Sequence, residues 1–85
     1  MADINRYEVI VELKKEVLDP EGRAIQETLV RLGHKAVQAV DVSKRFVLVI
    51  DGDVGRAEQL ARELAREFLA NPISQTFQVK RLEAP

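Results

Sequence analysis

Cysteine is absent from the 85 residues. The chain therefore forms no disulfide, offers no thiolate to zinc and has no thiolate nucleophile. That composition is compatible with a cytoplasmic protein. Histidine occurs once, at His34, directly after Gly33, and no Ser, Cys or carboxylate partner can be placed beside it. It reads as a turn residue. The four glycines, Gly22, Gly33, Gly52 and Gly55, fit neither the phosphate-loop nor the dinucleotide pattern. Aromatic residues are few: Tyr7, Phe46, Phe68 and Phe77. They do not form the aromatic-basic cluster with which RNA-recognition sheets stack bases. The net charge is −1, so no basic field points to nucleic acid. The longest apolar run, residues 46–50, is far too short to span a membrane. Residues 1–7 are polar, without the apolar stretch of a secretory leader. The expectation is a chain with no nucleic-acid or membrane partner, no metal or cofactor of its own and no catalytic residue.

The length fits one domain, spanning residues 1–85, with a thin core that self-association would help. Tyr7, Val9, Val11 and Leu13 alternate with Glu8, Glu12 and Lys14, which predicts a first strand. Asp19-Pro20 predicts a helix start, since Asp caps free backbone N–H groups and proline suits the first turn. Ile25, Leu29 and Leu32 share one helical face, and Gly33 provides the left-handed cap. Val37, Val40 and Val42 predict a second strand, Ser43-Lys44-Arg45 a tight connection, and residues 46–50 a third strand. Asp53 offers a second helix cap, followed by an apolar stripe of Ala57, Leu60, Ala61, Leu64, Ala65 and Phe68. Asn71-Pro72 stops that helix, and Phe77 and Val79 alternate with Gln78 and Lys80 in a fourth strand.

The order βαββαβ predicts an α+β, ferredoxin-like domain, with a four-stranded antiparallel sheet and both helices on one face. A sheet with one wet face alternates cleanly, and the two strands expected in its centre do not. Residues 46–50 are apolar on both sides, and Ile10 interrupts the charged side of the first strand. Ile10, Val47 and Val49 are therefore candidates for self-association, in a dimer or a tetramer. Acylphosphatases share this plan and hold phosphate after the first strand, but here residues 16–21 carry three acids and no arginine. Small-molecule regulatory domains of ACT type share the plan as well, and a ligand-binding role at a dimer interface stays open beside a scaffold role.

Particular residues narrow the choice. Val9-x-Val11-x-Leu13-Lys14-x-x-Val17-Leu18-Asp19-Pro20-x-Gly22 resembles the opening signature of the PurS family, the small subunits of phosphoribosylformylglycinamidine synthase. Leu32-Gly33, Val37, Val40, Lys44 and Leu69-Ala70-Asn71-Pro72 are similar to that family's later motifs. Two segments differ: Asp41-Val42-Ser43-Lys44 stands where the family often has Arg-x-Gly-Lys, and Ile73-Ser74-Gln75 where it commonly has an apolar pair and a glutamate. The resemblance implies a non-catalytic subunit of purine biosynthesis. It would pair with itself and bridge the synthetase subunit PurL, which carries ATP and Mg, and the glutaminase subunit PurQ, supporting ammonia transfer. Lys14, Asp19, Lys44 and Asn71 are the candidate contacts to those partners.

Overall fold

The computed structural model describes residues 3–82. The elements run β1 (Ile4–Leu13), α1 (Pro20–Arg31), β2 (Ser43–Asp51), α2 (Val54–Leu64), a π-helical turn (Ala65–Leu69) and β3 (Gln75–Leu82). The sheet has the order β2-β1-β3, with β1 antiparallel to both neighbours. The α+β class holds.

The strand register sorts the side chains. Asn5, Tyr7, Val9 and Val11 of β1 are buried. They lie opposite Ile50, Leu48, Phe46 and Lys44 of β2, and Val9 and Val11 also face Val79 and Phe77 of β3. This is the face that α2 covers. Ala57, Ala61 and Ala65 are its buried contacts, spaced four apart, and Leu69 continues the row into the core. Alanine leaves no side chain between helix and sheet, so the two backbones approach closely. Straight α-helical geometry drifts away from a spacing of four. The π-helical turn corrects the drift: Ala70 N–H donates to the Ala65 carbonyl at 2.9 Å, a five-residue bond. It also turns Phe68 out to 76% exposure, against the expectation that Phe68 belonged to the apolar stripe.

Caps form where the sequence predicts them. Asp19 caps α1 through Gly22 N–H at 2.8 Å, and Asp53 caps α2 through Arg56 N–H at 3.3 Å. At the end of α1, Gly33 takes φ 103°. Its N–H donates to Val30 and that of His34 to Leu29, which satisfies two of the last carbonyls. Two buried polar side chains of β1 tie the sheet to the start of α2: Asn5 Nδ2 donates to the Gly52 carbonyl at 2.8 Å, and Tyr7 O–H to that of Val54 at 3.2 Å.

Two parts of the expected architecture are corrected. The sheet has three strands among the described residues, not four, and α2 alone covers it. The reason is the missing hairpin. Two-residue hairpins need residues that accept positive φ, and Ser43-Lys44-Arg45 has none, so these residues enter β2 directly. The chain runs from residue 37 into Ser43 without turn or bend. Fifteen extended residues span about 50 Å, and the long axis of the molecule is 55 Å. Residues 37–42 and α1 are thereby carried beyond the sheet as an arm. The radius of gyration is 16.8 Å, against about 12 Å for a compact chain of this length.

The alanine row gives the first test. Ala61→Leu forces a larger side chain into the contact of α2 with Tyr7 and is expected to destabilise the protein by about 1–3 kcal/mol in urea denaturation. Phe68→Ser, at an exposed position, is expected to change stability by no more than about 0.5 kcal/mol.

Candidate functional site

One end of the sheet gathers the residues that the sequence singles out for partner contact. Lys14 follows β1 directly, and its N–H donates to the Ser74 carbonyl at 2.9 Å. Lys44 is the second residue of β2, opposite Val11, and is exposed. Asn71 lies four residues before β3. Its Oδ1 accepts from Ile73 N–H at 2.9 Å, its carbonyl accepts from Gln75 N–H at 2.8 Å, and its own N–H donates to Gln75 Oε1 at 2.7 Å. Asn71 thus shapes the turn into β3 with its own hydrogen bonds.

Asp19 does two jobs. One carboxylate oxygen caps α1 at Gly22, and the other accepts from Val42 N–H at 3.0 Å, just ahead of β2. Both bonds favour the ionised form, Gly22 first and Val42 second. They hold the carboxyl below the ordinary carboxylate value, although desolvation works the other way. Gly22 is buried against the arm, and a Cβ there would run into the Val40 carbonyl oxygen. Gln26 Nε2 adds a bond to the Val37 carbonyl at 3.1 Å. Capping chemistry made Asp19 and Gly22 legible as helix-start residues. Their contacts with residues 40 and 42 carry no local sequence signal, and Gln26 carries none at all.

Lys14 and Asp19 line one cleft of about 540 Å³, between the loop after β1 and the arm at Asp41 and Val42. Asp19 and Lys44 line a neighbouring one of about 200 Å³, which Gln75 also enters. In the larger cleft Glu12, Glu16, Asp19 and Asp41 stand against Lys14 and Lys15. Four carboxylates with two ammonium groups repel a phosphate and suit a mixed, partly basic protein surface. Among the described residues, no group of three or more His, Asp or Glu is placed to hold a metal ion.

The candidates for self-association lie on the opposite face from α2. Ile10 stands opposite Arg45, and Val47 and Val49 stand opposite Glu8 and Arg6. The register thus puts all three on one face. Ile10 is half-buried and Val49 is 63% exposed. Arg45 Nε and Glu8 Oε2 form an ion pair of 2.6 Å across the same surface.

A thin three-stranded sheet, covered by a helix on one face and open on the other, with a projecting arm, defines a small α+β domain. The comparisons with known proteins agree. The chain belongs to the PurS family: the family described as PurS, phosphoribosylformylglycinamidine (FGAM) synthase, matches residues 6–83. A relative named phosphoribosylformylglycinamidine synthase subunit PurS, from Mycobacterium leprae, is 42% identical over 76 residues, covering 89% of this chain and 94% of that one. The crystal structure of Methanocaldococcus jannaschii PurS, a subunit of formylglycinamide ribonucleotide amidotransferase, superposes with a TM-score of 0.85 at 31% identity, covering 95% of this chain and 99% of that one. A chain in the structure of PurLQS from Thermotoga maritima has a TM-score of 0.85 at 21% identity, covering 94% and 99%. That last match shows the fold alone.

The double role of Asp19 has a pH signature. Because its folded pKa is lowered, its contribution is fully present above the ordinary carboxylate value of about 4. It is lost as the pH falls through the lowered folded value. The amide of Val42 is expected to lose protection from hydrogen exchange over that acid range. Asp19→Asn keeps one acceptor oxygen for the helix cap and places an NH₂ where the second stood. In that variant Val42 is expected to exchange faster at every pH and without the acid transition. Wild-type protection of Val42 in Asp19→Asn would refute the clamp. Gly22→Ala is expected to expose the same amide by pushing the Val40 carbonyl away.

Proposed function

We propose that this chain is the small, non-catalytic subunit of phosphoribosylformylglycinamidine synthase in purine biosynthesis. It bridges the synthetase subunit PurL and the glutaminase subunit PurQ and supports ammonia transfer between them. The observation that carries this reading is the family match over residues 6–83. ATP and Mg belong to the synthetase subunit. The Lys14–Lys44 end of the sheet is the partner contact: ammonium groups at strand ends and a turn fixed by Asn71 offer a rigid polar rim. Self-association runs through the face that carries Ile10, Val47 and Val49. Arg6, Glu8 and Arg45 give that face both signs of charge, so a second copy related by two-fold symmetry can meet it with opposite charges. Among the described residues no helix is long and apolar enough to cross a membrane, and the complex works in the cytoplasm, where its substrates are.

The test is glutamine-dependent synthesis of formylglycinamidine ribonucleotide by purified PurL and PurQ, with and without this protein. Activity is expected to depend on it. Lys14→Ala and Lys44→Ala are expected to raise the concentration giving half-maximal activity about fivefold each, the equivalent of about 1 kcal/mol. Synthesis that is indifferent to the protein, with all three chains folded, would overturn the assignment.

A further inference from the structure

An open backbone edge, an apolar groove and a set of basic side chains meet at β3. The order β2-β1-β3 leaves one side of β3 without a neighbour among the described residues. Lys14 N–H donates to the Ser74 carbonyl, one position beyond the Leu13 and Gln75 pair that ends the β1–β3 register. Hydrogen-bonded pairs alternate along an antiparallel ladder. Thr76, Gln78 and Lys80 therefore bond to β1, and the N–H and C=O groups of Phe77, Val79 and Arg81 point outward. Gln75 N–H points the same way and is taken by the Asn71 carbonyl at 2.8 Å, as the alternation requires. Neither a bulge nor a proline closes the edge. Lys80 and Arg81 are the charges of the strand, and both are exposed. Beside the start of this edge lies a groove of about 320 Å³ between the π-helical turn and β3. Ala70, Pro72 and Phe77 give it an apolar lining, and Arg66 is its charged group. Arg66 Nη2 stands 3.7 Å from Glu67 Oε1, a long contact that leaves the other guanidinium donors free for a ligand.

We propose that the outer edge of β3 takes up an extended, acidic segment of a partner protein as an added strand. Main-chain bonds to Phe77, Val79 and Arg81 hold the segment, and the groove beside the edge selects its side chains. Phe77 and Arg81 lie on the helix side of the sheet, and Lys80 lies on the other side. The segment that fits carries an apolar residue opposite Phe77, seated against Ala70 and Pro72. Its carboxylates stand opposite Lys80 and Arg81, three and four positions further along. Charge decides the occupant. Arg66, Lys80 and Arg81 surround the edge, and β3 has no acid of its own. Glu8 stands opposite Lys80 on β1, but Arg45 Nε already holds it at 2.6 Å. A second copy of this chain suits the edge poorly, because two paired β3 strands would gather Lys80 and Arg81 of each copy on one ribbon without an acid between them. The groove begins at Pro72, beside the Asn71 turn that belongs to the partner contact proposed above, so the two surfaces are continuous. The inference rests on that reading and adds the chemistry of the segment that the partner supplies.

The experiment is amide hydrogen exchange, read residue by residue, on the protein alone and in complex with purified PurL and PurQ under the conditions of the synthesis assay. In the protein alone, Gln78 and Lys80 are expected to exchange slowly, and Phe77, Val79 and Arg81 fast. In the complex the last three are expected to slow by about tenfold or more, which removes the alternation. Lys80→Glu combined with Arg81→Glu is expected to raise the concentration giving half-maximal synthesis about tenfold. Both side chains are exposed, so the melting temperature of the variant is expected to stay close to that of the wild type. A complex that assembles and works while Phe77 and Val79 still exchange fast would overturn strand addition and leave the role of the subunit standing. Slow exchange of the same amides in the protein alone would place a second copy on the edge, which also overturns it. Protection in the complex without any effect of the charge reversal would overturn the acidic segment. Synthesis that is indifferent to the protein would overturn both readings.

Discussion

The path of the chain between residue 37 and Ser43 governs the rest of the molecule. A reversal there would return the chain along its own sheet edge and drop α1 onto its own β2. Without one, the segment continues the line of β2, and α1, which precedes it, is displaced from the sheet. The consequences follow in order. The sheet stops at three strands, its helix-side face is covered by one helix, and the row Ile25, Leu29 and Leu32 is left without a partner. The small buried core reflects this. Tyr7, Val9 and Val11 are its only large, fully buried side chains among the described residues, and the remaining buried apolar positions are alanines. At about 1.5–3 kcal/mol for each large aliphatic or aromatic group taken out of water, such a core is modest beside the entropy of ordering the chain.

Local chemistry made much of this legible. Alternation located β1 and β3, and Asp19, Gly33 and Asp53 marked helix ends at the residues where the caps form. These signals are short-range, because a carboxylate either reaches the N–H three residues on or does not. The errors came from longer-range geometry. Val37, Val40 and Val42 have strand composition, but composition does not fix pairing, and residues 37–42 join no strand of the sheet among the described residues. The apolar stripe that includes Leu60 and Phe68 is correct for a straight helix. The π-helical turn replaces Phe68 with Leu69 at the sheet, and nothing in the residues 65–69 announces it. The candidate site was partly readable for the same reason. Asp19 and Asn71 are turn formers whose bonds are local, whereas the second bond of Asp19, to Val42, spans 23 positions.

Turn formers and partner contacts need not be alternatives. Asp19 and Asn71 spend their hydrogen-bonding capacity on the backbone, which fixes the loop after β1 and the turn into β3. The ammonium groups of Lys14 and Lys44 stand on that fixed frame. A surface of this kind presents charge without losing backbone entropy on binding, because the folding of the chain has already supplied that order. Asp19 and Gly22 likewise fix residues 40–42 against the start of α1, so that segment and helix form one ordered unit.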